Sequence, residues 1–411
     1  MMNIKETIIF APETFNLAET TRSIEVAKEC SHVFHCIFMG YSKKYSYLIE
    51  ESNFTFIHLE PHLSDKQITQ IMNVDQMNGI KHPFTYEHIK ERVQNEKRLI
   101  KIYQPVSIVI GTTLSMFISS RVCNTPLVYI KPLAYTRPYF EEGYLPSPFT
   151  SMNLLAATIK KLFISIALRI TYKPKSFTKV AKEENVSLPK YTIDALDADY
   201  NLITTTPEIS QVYNLPDHYQ YIGPVYAKLD VPIPKFFDHL PTDQPIIYFA
   251  MGSSGSPNII VKLLHILSEL KVTVVCPMKR MIKSQLHKLS FNENIILCDF
   301  LPAHKISKFI DLSIIHGGEG TVQTACLTGK PFLGFGLQQE QRVNINQCVR
   351  FGNALSFRKK DFTKARMEQL INHALSTRTI KEKALEIQQV LKDINGPENA
   401  AKFLIKHFTV T

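Results

Sequence analysis

The sequence predicts an α/β protein made of two separate halves, each a parallel sheet covered by helices. Short apolar runs alternate with amphipathic stretches along the chain, the pattern of buried parallel strands joined by crossover helices. This rhythm stops over residues 214–245, which contain six prolines, and then restarts. The 411 residues also exceed one ordinary core. We therefore expect domains at 1–222 and 245–411, a linker at 223–244, and a last helix that packs back on the first domain.

The first half begins with the apolar run TIIFA, whose length fits one buried strand. Asn16 to Cys30 follows as a helix, and Tyr86–Tyr103 has the pattern of a charged, amphipathic helix. The predicted strands of this half are Thr7–Ala11, Val33–Met39, Phe54–Leu59, Val106–Ile110, Leu127–Ile130 and, as the last one, Tyr200–Thr204.

The second half repeats the alternation. Ligands of such sheets bind at the carboxyl ends of the strands, so the residues that follow each strand are the candidates for a site. The predicted strands are Pro245–Ala250, Val272–Cys276, Ile295–Cys298, Leu312–His316 and Pro331–Gly334. The predicted helices are Asn258–Leu270, Ile306–Phe309, Gly320–Leu327, Gln341–Phe351, 363–376 and 378–394, and the last two close the chain.

Composition narrows the classes of function. The chain has 47 Lys and Arg against 37 Asp and Glu, and its net charge of +10 favours anionic partners such as nucleotide phosphates or anionic lipid. No nucleic-acid-binding motif accompanies this charge. Seven cysteines without a C-x-x-C pair indicate reduced thiols in a cytoplasmic protein. We expect no signal peptide and no transmembrane helix, because the N-terminal apolar run is short and no long apolar window follows.

The strongest motif is HGGEGT at His316–Thr321, which directly follows a predicted strand and opens a predicted helix. Its three glycines let backbone N–H groups approach an anion, and the helix adds its positive end. The His316 and Thr321 side chains can donate to the same oxygens. The pattern therefore predicts a diphosphate site, and the alternative is a glycine-rich turn with one structural histidine.

Three further motifs accompany HGGEGT: FAMGSSG at Phe249–Gly255, FLPA at Phe300–Ala303 and QEQRVN at Gln339–Asn344. Together the four resemble, in order and spacing, the nucleotide-sugar glycosyltransferases of the GT-B fold. The resemblance is greatest to the UDP-glycosyltransferases and the macrolide and sterol glucosyltransferases. It is dense over 245–356 and implies two facing Rossmann-like domains with the active site in the cleft between them.

The resemblance implies roles for the first two motifs. Gly252, Ser253 and Ser254 belong to a Gly-Ser turn near the diphosphate. Phe300 takes the place of the base-stacking tryptophan of the family, in agreement with a chain that contains no tryptophan. Ala303 replaces a glutamine and can bind the base only through backbone atoms.

The other two motifs supply the remaining donor contacts that the resemblance implies. Glu340 and Gln341 bind hydroxyls of the donor sugar, with Asn344 as their support. Glu340 stands where the family usually has aspartate, so its carboxylate reaches one methylene further and the identity of the sugar stays open. The implied diphosphate ligands are His316, Gly318, Gly320 and Thr321.

The resemblance implies a metal-independent, inverting transfer of a hexose from a nucleotide diphosphate sugar, with UDP as the expected nucleotide, to a hydroxyl of a small lipophilic acceptor. Two alternatives stay open. One is a membrane-associated enzyme that glycosylates a lipid, and the other is a non-catalytic protein that binds a nucleotide sugar.

The catalytic base is where the chain departs from the family. Inverting members use a histidine at the start of the first helix, and counting back from Ser31-His32 places Asn16 at that position. An asparagine cannot accept the proton of a hydroxyl, and Asn16 with Glu19 reads as a helix capping box. Glu13 and Glu19 are the substitute bases, and Glu13 is preferred because it lies in the loop after the first strand.

Residues 151–172 carry an apolar stripe at helical spacing, with Lys160, Lys161 and Ser165 off it. One interpretation is a helix packed on the N-terminal domain beside the acceptor site. The other is a helix that lies on a membrane surface or lines a pocket for a lipid-like acceptor.

Overall fold

The structure, a computed structural model, describes residues 5–75, 82–142, 154–226, 231–252, 255–299 and 301–409. The chain forms two compact units. Unit 1 comprises Met1–Ala227 and Asn395–Thr411, and unit 2 comprises Lys228–Ile394. Each unit contains one sheet in which every recorded strand pair is parallel, so the predicted α/β class with two Rossmann-like halves is confirmed.

Unit 1 contains a seven-stranded sheet in the order β3-β2-β1-β4-β5-β6-β7. Its strands are β1 (Thr7–Ala11), β2 (His35–Gly40), β3 (Thr55–His58), β4 (Ser107–Ile110), β5 (Leu127–Lys131), β6 (Tyr200–Ile203) and β7 (Tyr219–Tyr221). Its helices before the chain enters unit 2 are α1 (Leu17–Cys30), α2 (Ser46–Glu51), α3 (Asp65–Asp75), α4 (Tyr86–Tyr103), α5 (Met116–Val122), α6 (Arg137–Glu141), α7 (Leu154–Leu168), α8 (Lys175–Glu183) and α9 (Pro207–Ser210), with 3-10 turns at Leu133–Tyr135 and Asp194–Leu196.

The sheet of unit 1 has an apolar core on each face, because successive side chains of a strand point to opposite sides. Ile8 and Phe10 of β1 belong to one core and Ile9 and Ala11 to the other. All four side chains are fully buried. Continuous apolar strands such as TIIFA are therefore what a sheet covered on both faces requires.

Unit 2 contains a six-stranded sheet in the order β10-β9-β8-β11-β12-β13. Its strands are β8 (Ile246–Ala250), β9 (Thr273–Cys276), β10 (Ile295–Leu297), β11 (Leu312–Ile315), β12 (Phe332–Gly334) and β13 (Ala354–Ser356). Its helices are α10 (Pro257–Ser268), α11 (Glu319–Leu327), α12 (Gln339–Phe351), α13 (Lys364–Ser376) and α14 (Arg378–Lys392), with 3-10 turns at Lys235–His239, Lys279–Ile282, Leu286–Lys288, Ser307–Phe309 and Lys359–Asp361.

The chain then returns to unit 1 as helix α15 (Gly396–Phe408), which packs against α1. Phe403 and Phe408 contact the ring of Tyr200 edge-on, at centroid distances of 5.3 and 5.8 Å. The Asn399 amide donates to the Ile222 carbonyl at 2.9 Å. Helix α15 therefore completes a core of unit 1.

The sequence located most elements within two residues, and β1 and α4 are confirmed residue for residue. It missed the three-residue strands β7 and β13, so Tyr200–Thr204 is not the last strand of its half. It also missed the helices α2, α3, α5, α6, α8, α9 and α15. Part of the segment predicted as a linker packs on unit 2, where the Phe237 side chain is 3% exposed within a core. The edge strands β7 and β13 were missed because three residues are too few to show a period.

Within the described residues, no helix is long and apolar enough to cross a membrane.

Candidate functional site

Both sheets contain a point where the strand order reverses, between β1 and β4 in unit 1 and between β8 and β11 in unit 2. Chains leave such neighbouring strands in opposite directions and open a crevice at their carboxyl ends, where ligands of these folds bind. Gly252 follows β8 by two residues and His316 follows β11 directly. Glu13 and Gly111 follow β1 and β4 in the same way. The predicted site residues thus gather at two such points.

In unit 2, His316 lies against two glycines of this crevice. A Cβ atom on Gly252 would lie 2.2 Å from its Cε1, and one on Gly318 would lie 2.6 Å from its Nε2. The Nδ1 atom lies 3.5 Å from the Thr321 hydroxyl. Burial lowers the pKa of His316 to about 4, so the imidazole is neutral at pH 7. The ring can therefore present a hydrogen bond to an anion without a charge of its own.

The turn before α11 is fixed by close backbone approach. Gly317 has φ +86°, and a Cβ there would lie 2.5 Å from the Ile345 side chain. The Asn344 amide donates to the Gly317 carbonyl at 3.1 Å, so Asn344 supports this turn, whereas the sequence predicted it as a support of Glu340 and Gln341. Gly318 is the N-cap of α11. Its first turn contains Gly320 and Thr321, whose backbone N–H groups have no partner within the helix and suit an anion.

Helix α12 begins beside this turn and carries Glu340 and Gln341 in its first turn. The Gln341 side chain is 2% exposed. Its Oε1 accepts from the backbone N–H of Leu337 and Gln338 at 2.9 and 3.1 Å, and its amide donates to the Gln338 side chain at 2.6 Å. Gln341 therefore caps α12 with its oxygen.

The remaining predicted donor contacts are less well defined. Ser253, Ser254 and Phe300 lie outside the described residues. Ala303 is half-buried in a turn, and its N–H donates to the Leu301 carbonyl at 2.9 Å. Of the backbone groups that a base would use at Ala303, the N–H is therefore occupied.

In unit 1, Glu19 joins the two loops of the crevice. Its Oε2 accepts from the backbone N–H of Glu13 at 3.1 Å and of Thr112 at 2.8 Å. Its Oε1 accepts from the Thr112 hydroxyl at 2.6 Å and the Asn16 amide at 3.3 Å. Burial raises the pKa of the Glu19 carboxyl, against the hydrogen bonds from Thr112. Four donors use the lone pairs of this carboxylate.

Glu13 has a different environment. Its Oε1 accepts from Arg92 at 2.9 Å in a buried ion pair, with side chains 4% and 1% exposed. Its Oε2 and the Arg92 Nη2 are both buried without a hydrogen-bond partner among the described residues. Of the two proposed bases, Glu13 is thus the one with a carboxylate oxygen that accepts no hydrogen bond among the described residues.

Asn16 caps α1 as the sequence predicted. Its Oδ1 accepts from the backbone N–H of Ala18 and Glu19 at 3.0 and 3.4 Å. The reciprocal half of the predicted capping box is wrong. The Asn16 N–H donates to the Glu13 carbonyl at 2.8 Å, because the Glu19 carboxylate turns to the loop after β4.

Sequence reasoning missed the charged network behind Glu13. The Arg92 guanidinium stacks on the Tyr41 ring at 3.7 Å, and the Tyr41 hydroxyl donates to Glu96 at 2.6 Å. Ser115 and Ser119 also donate to Glu96, whose pKa burial raises. Arg92 and Glu96 are one turn apart on a helix rich in exposed charges, so nothing in the local pattern distinguishes them. Thr112, which donates to Glu19, could have been suspected from the sequence, because Gly111-Thr112 directly follows a predicted strand.

Among the described residues, no group of three or more His, Cys, Asp or Glu side chains is arranged to hold a metal ion.

Comparison with known proteins shows which class of enzyme has this architecture. The family described as "Erythromycin biosynthesis protein CIII-like, C-terminal domain" matches residues 261–406. A PGL/p-HBAD biosynthesis glycosyltransferase of Mycobacterium tuberculosis (strain ATCC 25177 / H37Ra) is 26% identical over 323 residues, which are 76% of this chain and 72% of the relative. The chain is a glycosyltransferase of the GT-B fold.

Other relatives and solved structures agree with this assignment. A PGL/p-HBAD biosynthesis rhamnosyltransferase of Mycobacterium bovis (strain BCG / Pasteur 1173P2) is 24% identical over 303 residues, covering 73% of this glycosyltransferase and 66% of the relative. The spinosyn forosaminyltransferase SpnP aligns over 98% of both chains with a TM-score of 0.68 and 13% identity. The glycosyltransferase VinC, solved in complex with DTDP, aligns over 97% of this chain and 98% of its own, with a TM-score of 0.66 and 13% identity. The structural neighbours support the fold and the relatives support the activity class.

Proposed function

We propose that this glycosyltransferase transfers a hexose from a nucleoside diphosphate sugar to a hydroxyl of a small lipophilic acceptor in the cytoplasm, with inversion and without a metal. The single observation that carries the proposal is the His316 site. A neutral imidazole, glycine backbone and the first turn of α11 meet at the carboxyl end of β11. This arrangement suits a diphosphate that gains charge as it leaves.

The donor contacts that we propose are those that the family resemblance implies. Gly252, His316, Gly318, Gly320 and Thr321 hold the diphosphate, together with Ser253 and Ser254. Phe300 stacks on the base beside Ala303.

Glu340 binds donor-sugar hydroxyls and Asn344 supports the turn. Gln341 offers the sugar less than the resemblance implies, because its oxygen caps α12 and its amide donates to Gln338. UDP is the first nucleotide to test, and thymidine diphosphate is the second because VinC was solved with DTDP.

The reaction is a displacement at the anomeric carbon. The acceptor oxygen forms the new bond as the bond to the diphosphate oxygen breaks, and the acceptor proton passes to a base. Glu13 is the proposed base, since its Oε2 has no partner among the described residues. The diphosphate leaves with the electron pair, and the site around His316 stabilises it.

A groove of about 510 Å³ in unit 1 supports a lipophilic acceptor. Its volume lies in the range of small-molecule sites. Ile164, Leu168 and Tyr191 supply apolar surface. The rest of the lining is polar or charged: Arg137, Glu141, Glu142, Lys161, Ser165 and Arg169. A membrane lipid is the alternative acceptor, and an apolar surface on α7 favours it.

Calorimetry with UDP and with thymidine diphosphate tests the donor site. His316→Ala is expected to weaken the preferred nucleotide by about 1.5–3 kcal/mol, the value of a hydrogen bond to a charged group. His265→Ala, on the exposed side of α10, is the matched control and should bind as the wild type does. Unchanged affinity in His316→Ala contradicts the diphosphate assignment.

Product analysis separates the enzyme from a mere binder of nucleotide sugars. Mass spectrometry of mixtures that contain several nucleotide sugars and a lipophilic hydroxyl compound should show a glycosylated product. That product should disappear in His316→Ala. Tight donor binding without any transfer or donor hydrolysis would favour the non-catalytic alternative, which Asn16 motivates.

A further inference from the structure

Helix α7 has apolar side chains on two opposite faces. Ile164 is 8% exposed and lines the groove towards α6. On the other side, Leu162, Phe163 and Ile166 are 62%, 68% and 57% exposed. Ile159 precedes them at helical spacing, so these side chains form one continuous face. An apolar helix face normally lies in a core or against lipid, whereas among the described residues of unit 1 this face is exposed.

This exposed face is concentrated in one segment. Ten large apolar side chains of the described chain stand out as exposed, and six of them lie between Ile159 and Tyr172. The others, such as Ile102 on α4, are far apart in sequence. Single exposed apolar residues are ordinary, whereas a contiguous apolar surface marks an interaction site.

The segment that carries the face is also strongly basic. Residues 154–190 contain eight Lys and Arg and two Glu, so they hold +6 of the chain's net +10. Both acids are already engaged by cations of α4. Glu183 pairs with Lys90 at 3.2 Å and Glu184 with Lys97 at 2.5 Å. The cations of the segment are therefore not neutralised by its own carboxylates.

The positive charge of residues 154–190 indicates which kind of partner binds this face. A second copy in a two-fold contact would place one basic segment against an identical one, which like charges disfavour. A small acceptor would cover only part of a face whose residues span about two helical turns. An anionic bilayer satisfies both features, because the apolar side chains enter the acyl boundary and the cations meet the headgroups.

We infer that the exposed face of α7 docks this glycosyltransferase on an anionic phospholipid bilayer, with Leu162, Phe163 and Ile166 in the interface and the helix parallel to the membrane plane. This docking is independent of the nucleotide donor. It can be measured without any glycosyl transfer, so it stands or falls separately from the proposed function.

The absence of tryptophan from the chain makes a direct test possible. Phe163→Trp introduces a single tryptophan on the face, which can be excited selectively above the absorption of tyrosine. Ile102→Trp places one on α4 at a position whose side chain is 72% exposed. Vesicles of phosphatidylcholine with phosphatidylglycerol should shift the emission of Phe163→Trp to the blue, and brominated lipid should quench it. Ile102→Trp should show neither change. Equal behaviour of the two variants overturns the docking site.

Binding of the unlabelled chain gives the second measurement. Phe163→Glu should lower the partition coefficient on these vesicles at least about tenfold, because a charge replaces an inserted ring. Ile102→Glu is the matched control and should bind as the wild type does. Binding of the wild type should also weaken as the salt concentration rises, because cations of residues 154–190 meet the headgroups. Wild-type chain that stays unbound at low salt contradicts the inference.

Sedimentation without vesicles tests the competing occupant. A monomer at all concentrations supports bilayer docking. A dimer that Phe163→Glu dissociates would instead assign the face to a second copy and overturn the inference.

Discussion

The crevice of unit 2 and the crevice of unit 1 occupy the same place in two sheets of the same strand order, yet different groups fill them. His316 itself is neutral and lies against the glycines Gly252 and Gly318, beside the N-terminus of α11. Behind Glu13 the groups are buried charges, with Arg92 and Glu96 as neighbours. In the crevice of unit 2 the charge would come from a bound anion. In the crevice of unit 1 the charge of Glu13 is balanced by Arg92 of the same chain. Preformed neutral donors suit ligand binding, and a buried ion pair suits positioning of a base.

The largest effect expected from this contrast is on turnover. Glu13→Gln should lower kcat by about 10²–10⁴, the usual worth of a general base. Glu19→Gln should mainly reduce stability, by about 1–3 kcal/mol, because an amide N–H₂ faces donors there. Rates and unfolding free energies of both variants check this. A rate loss below tenfold in Glu13→Gln, Glu19→Gln and Asn16→Asp alike contradicts every base proposed for this chain.

The next effect is on the stability of unit 1. Arg92→Met keeps most of the side-chain volume but leaves Glu13 buried without its cation, so the unfolding free energy should fall by about 3–5 kcal/mol. Arg366→Met removes a pair with Asp361 whose arginine is 46% exposed, and should cost at most about 1 kcal/mol. Denaturant titration measures both. Similar losses in the two variants would contradict the claim that breaking the buried ion pair of unit 1 costs more than breaking an exposed one.

The two crevices should also differ in the sign of their pH dependence. Because burial lowers the pKa of His316 to about 4, the unfolded chain binds a proton between pH 4 and 6.5 that the folded chain does not. Stability therefore rises with pH in this window, by about 3 kcal/mol in total. Burial raises the pKa of Glu96, so the folded chain holds the extra proton and stability falls as pH rises above the usual glutamate range.

Difference measurements isolate these two slopes from the other titrating groups. The unfolding free energy of the wild type minus that of His316→Asn should increase from pH 4 to 6.5. The same difference for Glu96→Gln should decrease as the pH rises through the raised pKa. Parallel slopes for both variants contradict the assignment.

The smallest predicted effect distinguishes the cost of a strained backbone at a glycine from a loss of nucleotide binding. Gly252→Ala and Gly352→Ala both place a side chain at positive φ, +58° and +101°, and each should lose at least about 1 kcal/mol of stability. Only a Cβ on Gly252 meets the His316 ring; one on Gly352 meets the flexible Lys383 chain at 3.3 Å. Nucleotide affinity should fall about tenfold in the first variant. Equal affinity in both would separate Gly252 from the site.

The sequence by itself predicted the parallel sheets, the two halves and the donor motif, because these signals are local. A strand, three glycines and a helix start lie within a few residues at HGGEGT, and TIIFA shows its burial by composition alone. Only half of the capping box at the start of α1 was predicted correctly from the sequence. The Asn16 cap was predicted, while the partner of Glu19 lies 93 residues away in Thr112.

Tertiary structure decided what depends on contacts between distant residues. The Glu13–Arg92 pair joins residues 79 apart, and the neutral state of His316 follows from its burial rather than from its neighbours in sequence. A last helix in unit 1 was expected, but only the structure showed that this helix is α15, beyond the last one that the sequence predicted. The stripe of α7 was visible in the sequence, but only the fold showed which of its apolar side chains face solvent, because burial is a property of the packed chain.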